Sequence, residues 1–466
     1  MNFYDELGKY SSNIALITEG SEQISYRVLL DAADNIGKRI QKRCLVFVVC
    51  KNYLESIAGY IGFLRAGIVP ALISDTIDNT FFVNLLKAYK PEYIYLPAKK
   101  SGLKIDYTES HSCGSYILLK TNYNIDYALH DDLALLLTTS GSTGSPKLVR
   151  QSYKNINSNA EAIAQYLKIT YADRPITTMP MSYSYGLSII NSHLLKGASI
   201  ILTEATLMEK RFWKTVKTNL ATTFGGVPYI YEMLKKLRFG QMDLPTFKYI
   251  TQAGGKLSPE LSLEFAESCS QKRIKFYVMY GQTEATARMS YLPWEYATTK
   301  AGSMGIAIPG GQFWLEDEYN NIIKESGTSG ELIYQGDNVT LGYAESCLDL
   351  SKGDENKGIL RTGDMARRDA DGFYYITGRK KRFLKMFGNR VNLNEVEELI
   401  RALGYECACA GSDDNLKIYV TKLNGKERIK NYIASRTGIN QAGFNVVHID
   451  KIPRNEAGKV LYSALD

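Results

Sequence analysis

Short apolar runs punctuate the first three fifths of the chain. They predict buried strands at 45–50, 133–139, 176–180, 199–203, 222–226, 249–253 and 276–280. Longer amphipathic stretches lie between them. In 152–167, Ile156, Ala160, Ile163, Ala164 and Leu167 recur at helical spacing, with Ser152 placed to cap the first turn. The most hydrophobic stretch, 57–73, is interrupted by Arg65, glycines and Pro70, so it reads as a helix running into a strand and not as a membrane span. Strand–helix alternation of this kind predicts an α/β fold, a doubly wound and mainly parallel sheet with helices on both faces.

The pattern changes after Pro293. Residues 302–342 are glycine-rich with short alternating segments at 312–315 and 331–334, which predicts a small antiparallel β-subdomain over about 296–378. A third pattern starts near Gly378: a basic run from Arg379 to Lys385, a helix at 393–403, a strand at 417–421 and a helix at 426–436. The expected boundary lies at Gly378–Lys381, dividing a large domain of 1–378 from a small α+β domain of 379–466.

At 466 residues, with 45% hydrophobic and 23% charged residues, the chain is a globular protein of two or three domains. The net charge of +7 is spread along the whole length, which suits anionic small molecules and gives no concentrated face for nucleic acid. Seven scattered cysteines form no CxxC pair and no metal-ligand spacing, as in a reduced cytoplasmic protein. Cys407 and Cys409 alternate with alanines, as on one face of a strand. The N-terminus carries acidic residues and no apolar signal core, so the cytoplasm is the expected location.

The candidate chemistry sits where the predicted strands end. After 133–137 comes Thr138-Thr139-Ser140-Gly141-Ser142-Thr143-Gly144-Ser145-Pro146-Lys147. Small hydroxyl residues and glycines let successive N–H groups point at one anion, and Lys147 adds a full positive charge. This is a phosphate cradle, but it lacks the GK[ST] ending of a Walker A loop. Tyr280-Gly281-Gln282-Thr283-Glu284-Ala285 follows another strand, where ligands of open α/β sheets bind. Thr283 is suited to donate to a phosphate and Glu284 to hold Mg²⁺. Gly254 and Gly255, after the strand ending at Gln252 and Ala253, leave bare backbone for a flat ring, with Tyr280 a candidate to stack on it. Asp364, in Arg361-Thr362-Gly363-Asp364, is suited to accept from a ribose diol, with Arg379 closing over the same sugar. Lys459 follows Pro453 and Gly458 close to the C-terminus. Taken singly, each segment also reads as an ordinary turn, helix start or surface ion pair.

Together and in this order, TSGSTGSPK, YGQTEA, GELIYQG, RTGD, GRKKR and the late GK resemble the adenylate-forming (AMP-binding) superfamily of acyl-CoA synthetases, peptide-synthetase adenylation domains and luciferases. The resemblance runs from about Leu133 to the C-terminus. It implies an ATP- and Mg²⁺-dependent acid–thiol ligase that forms an acyl-adenylate and passes the acyl group to CoA, or alternatively to the phosphopantetheine of a carrier protein. It further implies that Thr139, Ser140, Gly141, Ser142, Thr143, Gly144 and Lys147 hold the β- and γ-phosphates and Thr283 the α-phosphate. Glu284 becomes the magnesium ligand, Asp364 and Arg379 grip the ribose, and Gly254, Gly255 and Tyr280 enclose adenine beside Gly281 and Gln282. Lys459 is the adenylating lysine, carried on a mobile lid that pivots at Lys381, and Gly388 lines the thiol channel.

The acid pocket implied by the resemblance is formed by Tyr183, Tyr185 and Gly186 and by Phe224, Gly225 and Gly226. Tyr183 stands where many members have histidine. No acidic residue occurs between Ile176 and Gly197, and an unpaired buried ammonium is costly, so a small or medium carboxylic acid is expected and an α-amino acid is not. Two rival classes remain. A P-loop kinase or ATPase would need the missing GK[ST], and a catalytically dead binding protein would be expected to have lost Glu284 or Lys459, both of which are present.

Overall fold

All of Leu45–Cys50 is buried. Leu45, Phe47 and Val49 enter one apolar core, while Val46, Val48 and Cys50 enter another. Side chains of a strand alternate between faces, so this strand is covered on both, the situation of a parallel sheet between helices. The computed structural model has that arrangement. It describes residues 2–100, 105–123, 126–138, 147–380, 382–387, 389–422, 424–454 and 460–465. Thr139 to Gly144, Lys381, Gly388 and Lys459 therefore lie outside the described residues.

The chain forms two compact units, Met1–Gln312 with Gln335–Leu360, and Phe313–Tyr334 with Arg361–Asp466. The β-rich segment is thus divided: 313–334 and 361–378 group with the C-terminal residues, and 296–312 and 335–360 with the α/β unit. In that first unit, Leu133–Thr138, Val69–Ser74, Leu45–Cys50 and Tyr93–Pro97 are parallel neighbours at the centre of an eight-stranded sheet. Antiparallel strands extend it, Leu148–Ser152 and Gly342–Ala344 on one side and Tyr116–Thr121 and Tyr107–Cys113 on the other. Helices Tyr26–Gly37 and Leu54–Arg65 contribute to the core on one face, and Asn79–Tyr89 to the core on the other. A second sheet carries Thr223–Gly226, Tyr249–Gln252 and Lys275–Tyr280 in parallel.

Local expectations hold where they rest on strong patterns. Ser152 caps Tyr153–Tyr166 and forms a capping box with Asn155. The expected strand at 176–180 is instead a pair of single bridges, Pro175 to Thr223 and Ile176 to Ile201, and its neighbour shortens to Ile200–Ile201. Pro175 and Pro180 bracket the segment and lack the N–H groups that a ladder needs.

In the second unit, Gln312–Glu316, Ser329–Gln335, Ile359–Arg368 and Tyr374–Arg379 form a four-stranded sheet. Cys407–Ser412, Asn415–Val420 and Phe444–His448 form another, which shares a core with Leu393–Ala402 and Lys426–Thr437. Cys407 and Cys409 face that core together, and burial pushes the Cys407 thiol up to about 12, which leaves it inert. The basic run is not uniformly solvated: Arg382 pairs with buried Glu397 (2.8 Å), donates to the Cys409 carbonyl (2.7 Å) and stacks on Tyr462 (3.7 Å). No helix among the described residues is long and apolar enough to cross a membrane.

Segment 335–360 is tied to the first unit by Arg150, which is 0% exposed. Its guanidinium donates to the carbonyls of Leu341 (2.8 Å), Tyr343 (3.0 Å), Lys352 and Gly353 (3.2 Å) and pairs with Glu355 at 2.5 Å. Arg150→Ala leaves those acceptors dry and is expected to lower stability by about 3 kcal/mol or more. Urea unfolding should show the lowered midpoint, and Arg150→Lys, which keeps the charge but not the fork, should recover only part of it. An unchanged midpoint in the alanine variant would refute the assignment.

Candidate active site

Three parallel strands of the second sheet deliver candidate residues at their carboxyl ends: Gly225 and Gly226 close Thr223–Gly226, Gly254 and Gly255 follow Tyr249–Gln252, and Gly281 to Glu284 follow Lys275–Tyr280. Gly281 is required by close approach, because a Cβ there would lie 1.6 Å from the Ala287 carbonyl oxygen. The chain after it makes a short 3₁₀ turn, Thr283–Ala285, and then places Thr286 at φ 52° and Ala287 at φ 96°. Such backbone is strained for residues with a Cβ and persists only when its surroundings hold it.

The surroundings do hold it. Asn338 Nδ2 donates to the carbonyls of Ala285 (2.8 Å) and Arg288 (3.0 Å), and Thr286 Oγ1 donates back to the Asn338 carbonyl (2.8 Å). Both the N–H and the hydroxyl of Thr340 reach the Glu284 carbonyl at 3.0 Å. Tyr343 OH donates to Glu284 Oε1 at 2.6 Å, and the Lys147 ammonium lies 3.7 Å from the centre of the Tyr343 ring. Lys147, Tyr343 and Glu284 thus form one chain of contacts within the first unit. Thr283 Oγ1 is 3.2 Å from Ser184 Oγ, and its carbonyl accepts from Gln151 Nε2 at 3.4 Å.

These contacts suit the expected chemistry. Tyr343 occupies one carboxylate oxygen of Glu284, and the other accepts no hydrogen bond from a described residue. A single free carboxylate oxygen on Glu284 fits Mg²⁺, which keeps several waters and takes the rest of its shell from substrate phosphates. No cluster of three metal-ligating side chains exists among the described residues, as that mode of binding allows.

Gly254, at φ 82°, has no room for a Cβ: it would stand 2.6 Å from Tyr183 OH and 2.9 Å from Val227 Cγ1. Burial raises the Tyr183 phenol to about 12, so it stays neutral. Tyr185 OH binds Thr251 (2.8 Å to Oγ1), and a Cβ on Gly225 would lie 2.6 Å from the same hydroxyl. Gly186 sits against the Pro180 carbonyl, 2.3 Å from where a Cβ would be. Phe224 is buried edge-on against Phe247, and strand alternation turns it to the face opposite Gly225. Gln282 Nε2 donates to Tyr280 OH at 3.1 Å. In the second unit Asp364 and Arg379 are cross-strand partners, their ion pair 2.6 Å long and Asp364 nearly buried.

A family model described as AMP-binding enzyme matches residues 3–344. The chain belongs to the AMP-binding enzyme family. The expected family is therefore the one found. Among its relatives, an oxalate–CoA ligase of Arabidopsis thaliana is 30% identical over 416 residues, covering 84% of this chain and 79% of that protein. A medium-chain fatty-acid–CoA ligase of Escherichia coli is 26% identical over 368 residues, 76% of this chain and 64% of the relative's length, so that match spans less than two thirds of it. An O-succinylbenzoate coenzyme A synthetase from Bacillus subtilis, solved in complex with AMP, superposes with a TM-score of 0.80 at 20% identity over 100% of this chain and 98% of that one. ATP-bound MatB from Rhodopseudomonas palustris gives the same TM-score, 0.80, at 20% identity, with 100% and 98% coverage. At that identity the two structures establish a shared fold, in agreement with the expected α/β architecture.

Sequence reasoning passed over Arg150, Arg288, Asn338, Thr340 and Tyr343. No local pattern marks any of them, because their partners are remote along the chain. Tyr343→Phe removes the bond that orients Glu284. At limiting Mg²⁺ the variant is expected to lose about tenfold in rate, the worth of one hydrogen bond to a charged group. A Mg²⁺ titration of pyrophosphate exchange reads this. Full activity at every Mg²⁺ concentration would remove Tyr343 from the site.

Proposed function

We propose that this AMP-binding enzyme activates a small or medium carboxylic acid with ATP and transfers the acyl group to the thiol of CoA. Its support is the family, the CoA ligases among its relatives and, above all, the strained Thr283–Arg288 turn held so that Thr283 and Glu284 face the carboxyl ends of the strands. The relatives are named for acids as different as oxalate and fatty acids, so their names do not select the acid. The scattered, reduced cysteines favour the cytoplasm as the place of reaction.

The chemistry follows from charge. The acid is already ionised at neutral pH and needs no general base. Its carboxylate oxygen attacks the α-phosphorus, and pyrophosphate leaves with the electrons of the broken P–O bond. Two anions must meet, so positioned donors and cations are the main requirement. We assign Thr283 to the α-phosphate, the 139–147 loop with Lys147 to the outer phosphates and Lys459 to the meeting carboxylate and phosphate. Asp364 and Arg379 are assigned to the ribose, and Gly254, Gly255 and Tyr280 to adenine. Mg²⁺ at Glu284 would neutralise charge on the departing pyrophosphate. In the second half-reaction a thiolate attacks the acyl carbon and AMP leaves, a step for which a lysine on a separate lid, hinged near Lys381, must withdraw.

Lys459→Ala is expected to abolish acid-dependent pyrophosphate exchange while sparing thioester formation from pre-made acyl-adenylate. Equal loss of both half-reactions would count against the lid assignment. Running the second half-reaction with free CoA and with a phosphopantetheinylated carrier protein identifies the acceptor.

A further inference from the structure

Arg288 is buried within the first unit, only 2% exposed. Its Nε donates to Ser188 Oγ (3.0 Å) and its Nη1 to Tyr166 OH (3.0 Å) and Met279 Sδ (3.4 Å). The guanidinium carbon lies 5.2 Å from the centre of the Tyr185 ring. Every one of these neighbours is neutral. Among the described residues Arg288 forms no ion pair, and its Nη2 makes no hydrogen bond. The undescribed residues of that unit include no aspartate or glutamate. Buried Asp173 in the same unit is already paired with Lys248 at 2.9 Å. A guanidinium remains charged at any working pH, and a buried charge without a counter-ion is expensive.

The position of that charge is informative. Thr283 Oγ1 meets Ser184 Oγ at 3.2 Å, at the start of helix Ser184–Leu194. Arg288 Nε meets Ser188 Oγ, four residues further along the same helix. Four residues of helix, a rise of about 6 Å, therefore separate the serine that meets Thr283 from the serine that meets Arg288. The ring of Tyr185, a residue of the expected acid pocket, lies against the guanidinium.

We propose that the activated acid is a short dicarboxylate, and that Arg288 binds its far carboxylate. This rests on the acid-activating function proposed above. The near carboxylate faces the α-phosphate beside Thr283, and the far one completes the donors of Arg288 roughly 6 Å deeper, a span between outer carboxylate oxygens that two or three intervening carbons provide. A planar guanidinium suits that contact, since two parallel N–H groups match two carboxylate oxygens. The far carboxylate makes and breaks no bond. Arg288 is a substrate-binding residue that sets specificity.

The test is ATP–pyrophosphate exchange with length-matched pairs: butyrate against succinate, and valerate against glutarate. The intact enzyme is expected to prefer the diacid of each pair by at least about tenfold in kcat/KM. Arg288→Met is expected to raise KM for the diacid by about 100-fold, the effect of removing one partner of a buried charge pair, with much less effect on kcat. Arg288→Lys should retain part of the preference. Equal or better use of the monoacids by the intact enzyme would overturn the dicarboxylate assignment and leave acid activation standing. Exchange with none of the acids, in a protein that still binds ATP, would overturn acid activation and this inference together. Should Arg288→Met fail to fold, the preference of the intact enzyme decides alone.

Discussion

One buried guanidinium sets the path of the segment on which the candidate magnesium site depends. Arg150 gathers the carbonyls of Leu341, Tyr343, Lys352 and Gly353 and the carboxylate of Glu355, and so fixes a stretch of chain some two hundred residues away in sequence. From that stretch Thr340 and Tyr343 reach Glu284, the first through its carbonyl and the second through its carboxylate. Asn155 anchors the same segment a few residues earlier, donating to the carbonyls of Asp337 and Val339 at 2.7 Å. The capping box at Ser152 that starts helix Tyr153–Tyr166 uses this same Asn155, so a helix start and the anchor of this segment share one side chain.

That support answers a local difficulty. The turn after Lys275–Tyr280 must leave the sheet sharply enough to present Thr283 and Glu284 at its edge. The route brings the Ala287 carbonyl against Gly281 and puts Thr286 and Ala287 at positive φ. Each such residue is unfavourable by roughly 1–3 kcal/mol unless something holds it. Asn338, bonded to the carbonyls on either side of the turn, is what holds it here. The strain and its restraint lie beside the candidate residues Thr283 and Glu284, and both serve the same presentation.

This division explains how much was readable in advance. Leu45–Cys50, Leu133–Thr138, Tyr249–Gln252 and Lys275–Tyr280 were legible as short apolar runs, because burial on both faces favours apolar side chains, whereas Tyr93–Pro97 was not expected. The helix at 153–166 was legible from its spacing and its cap. The glycine-rich and Thr-Glu segments marked the candidate site only as a set and in their order, since each alone reads as an ordinary turn or helix start. Arg150, Tyr343 and Arg288 were not legible. Arginines lie mostly at the surface, and a single sequence carries no mark of one that is sealed inside. Their partners are also remote: Arg150 and Leu341 are 191 positions apart, Arg288 and Ser188 are 100 apart. Local periodicity is silent on such pairings. The missing strand at 176–180 has a simpler origin, an apolar run whose prolines deny it a ladder.

The two buried arginines of this unit make an instructive pair. Both are buried, yet Arg150 is met by four carbonyls and a carboxylate, while Arg288 is met by two hydroxyls, a thioether and the face of a ring. The first is fully compensated by the chain's own atoms, and its task is to fasten segments together. The second has its hydrogen bonds partly satisfied and its charge not at all. Hydroxyls orient a guanidinium but do not neutralise it, and a fold under no other constraint would gain by placing a methionine or leucine there. A charge that the fold tolerates without compensating is best understood through what arrives later. The same absence of acidic residues that disfavours an amino-acid substrate across 176–197 leaves this cation open to a negatively charged one.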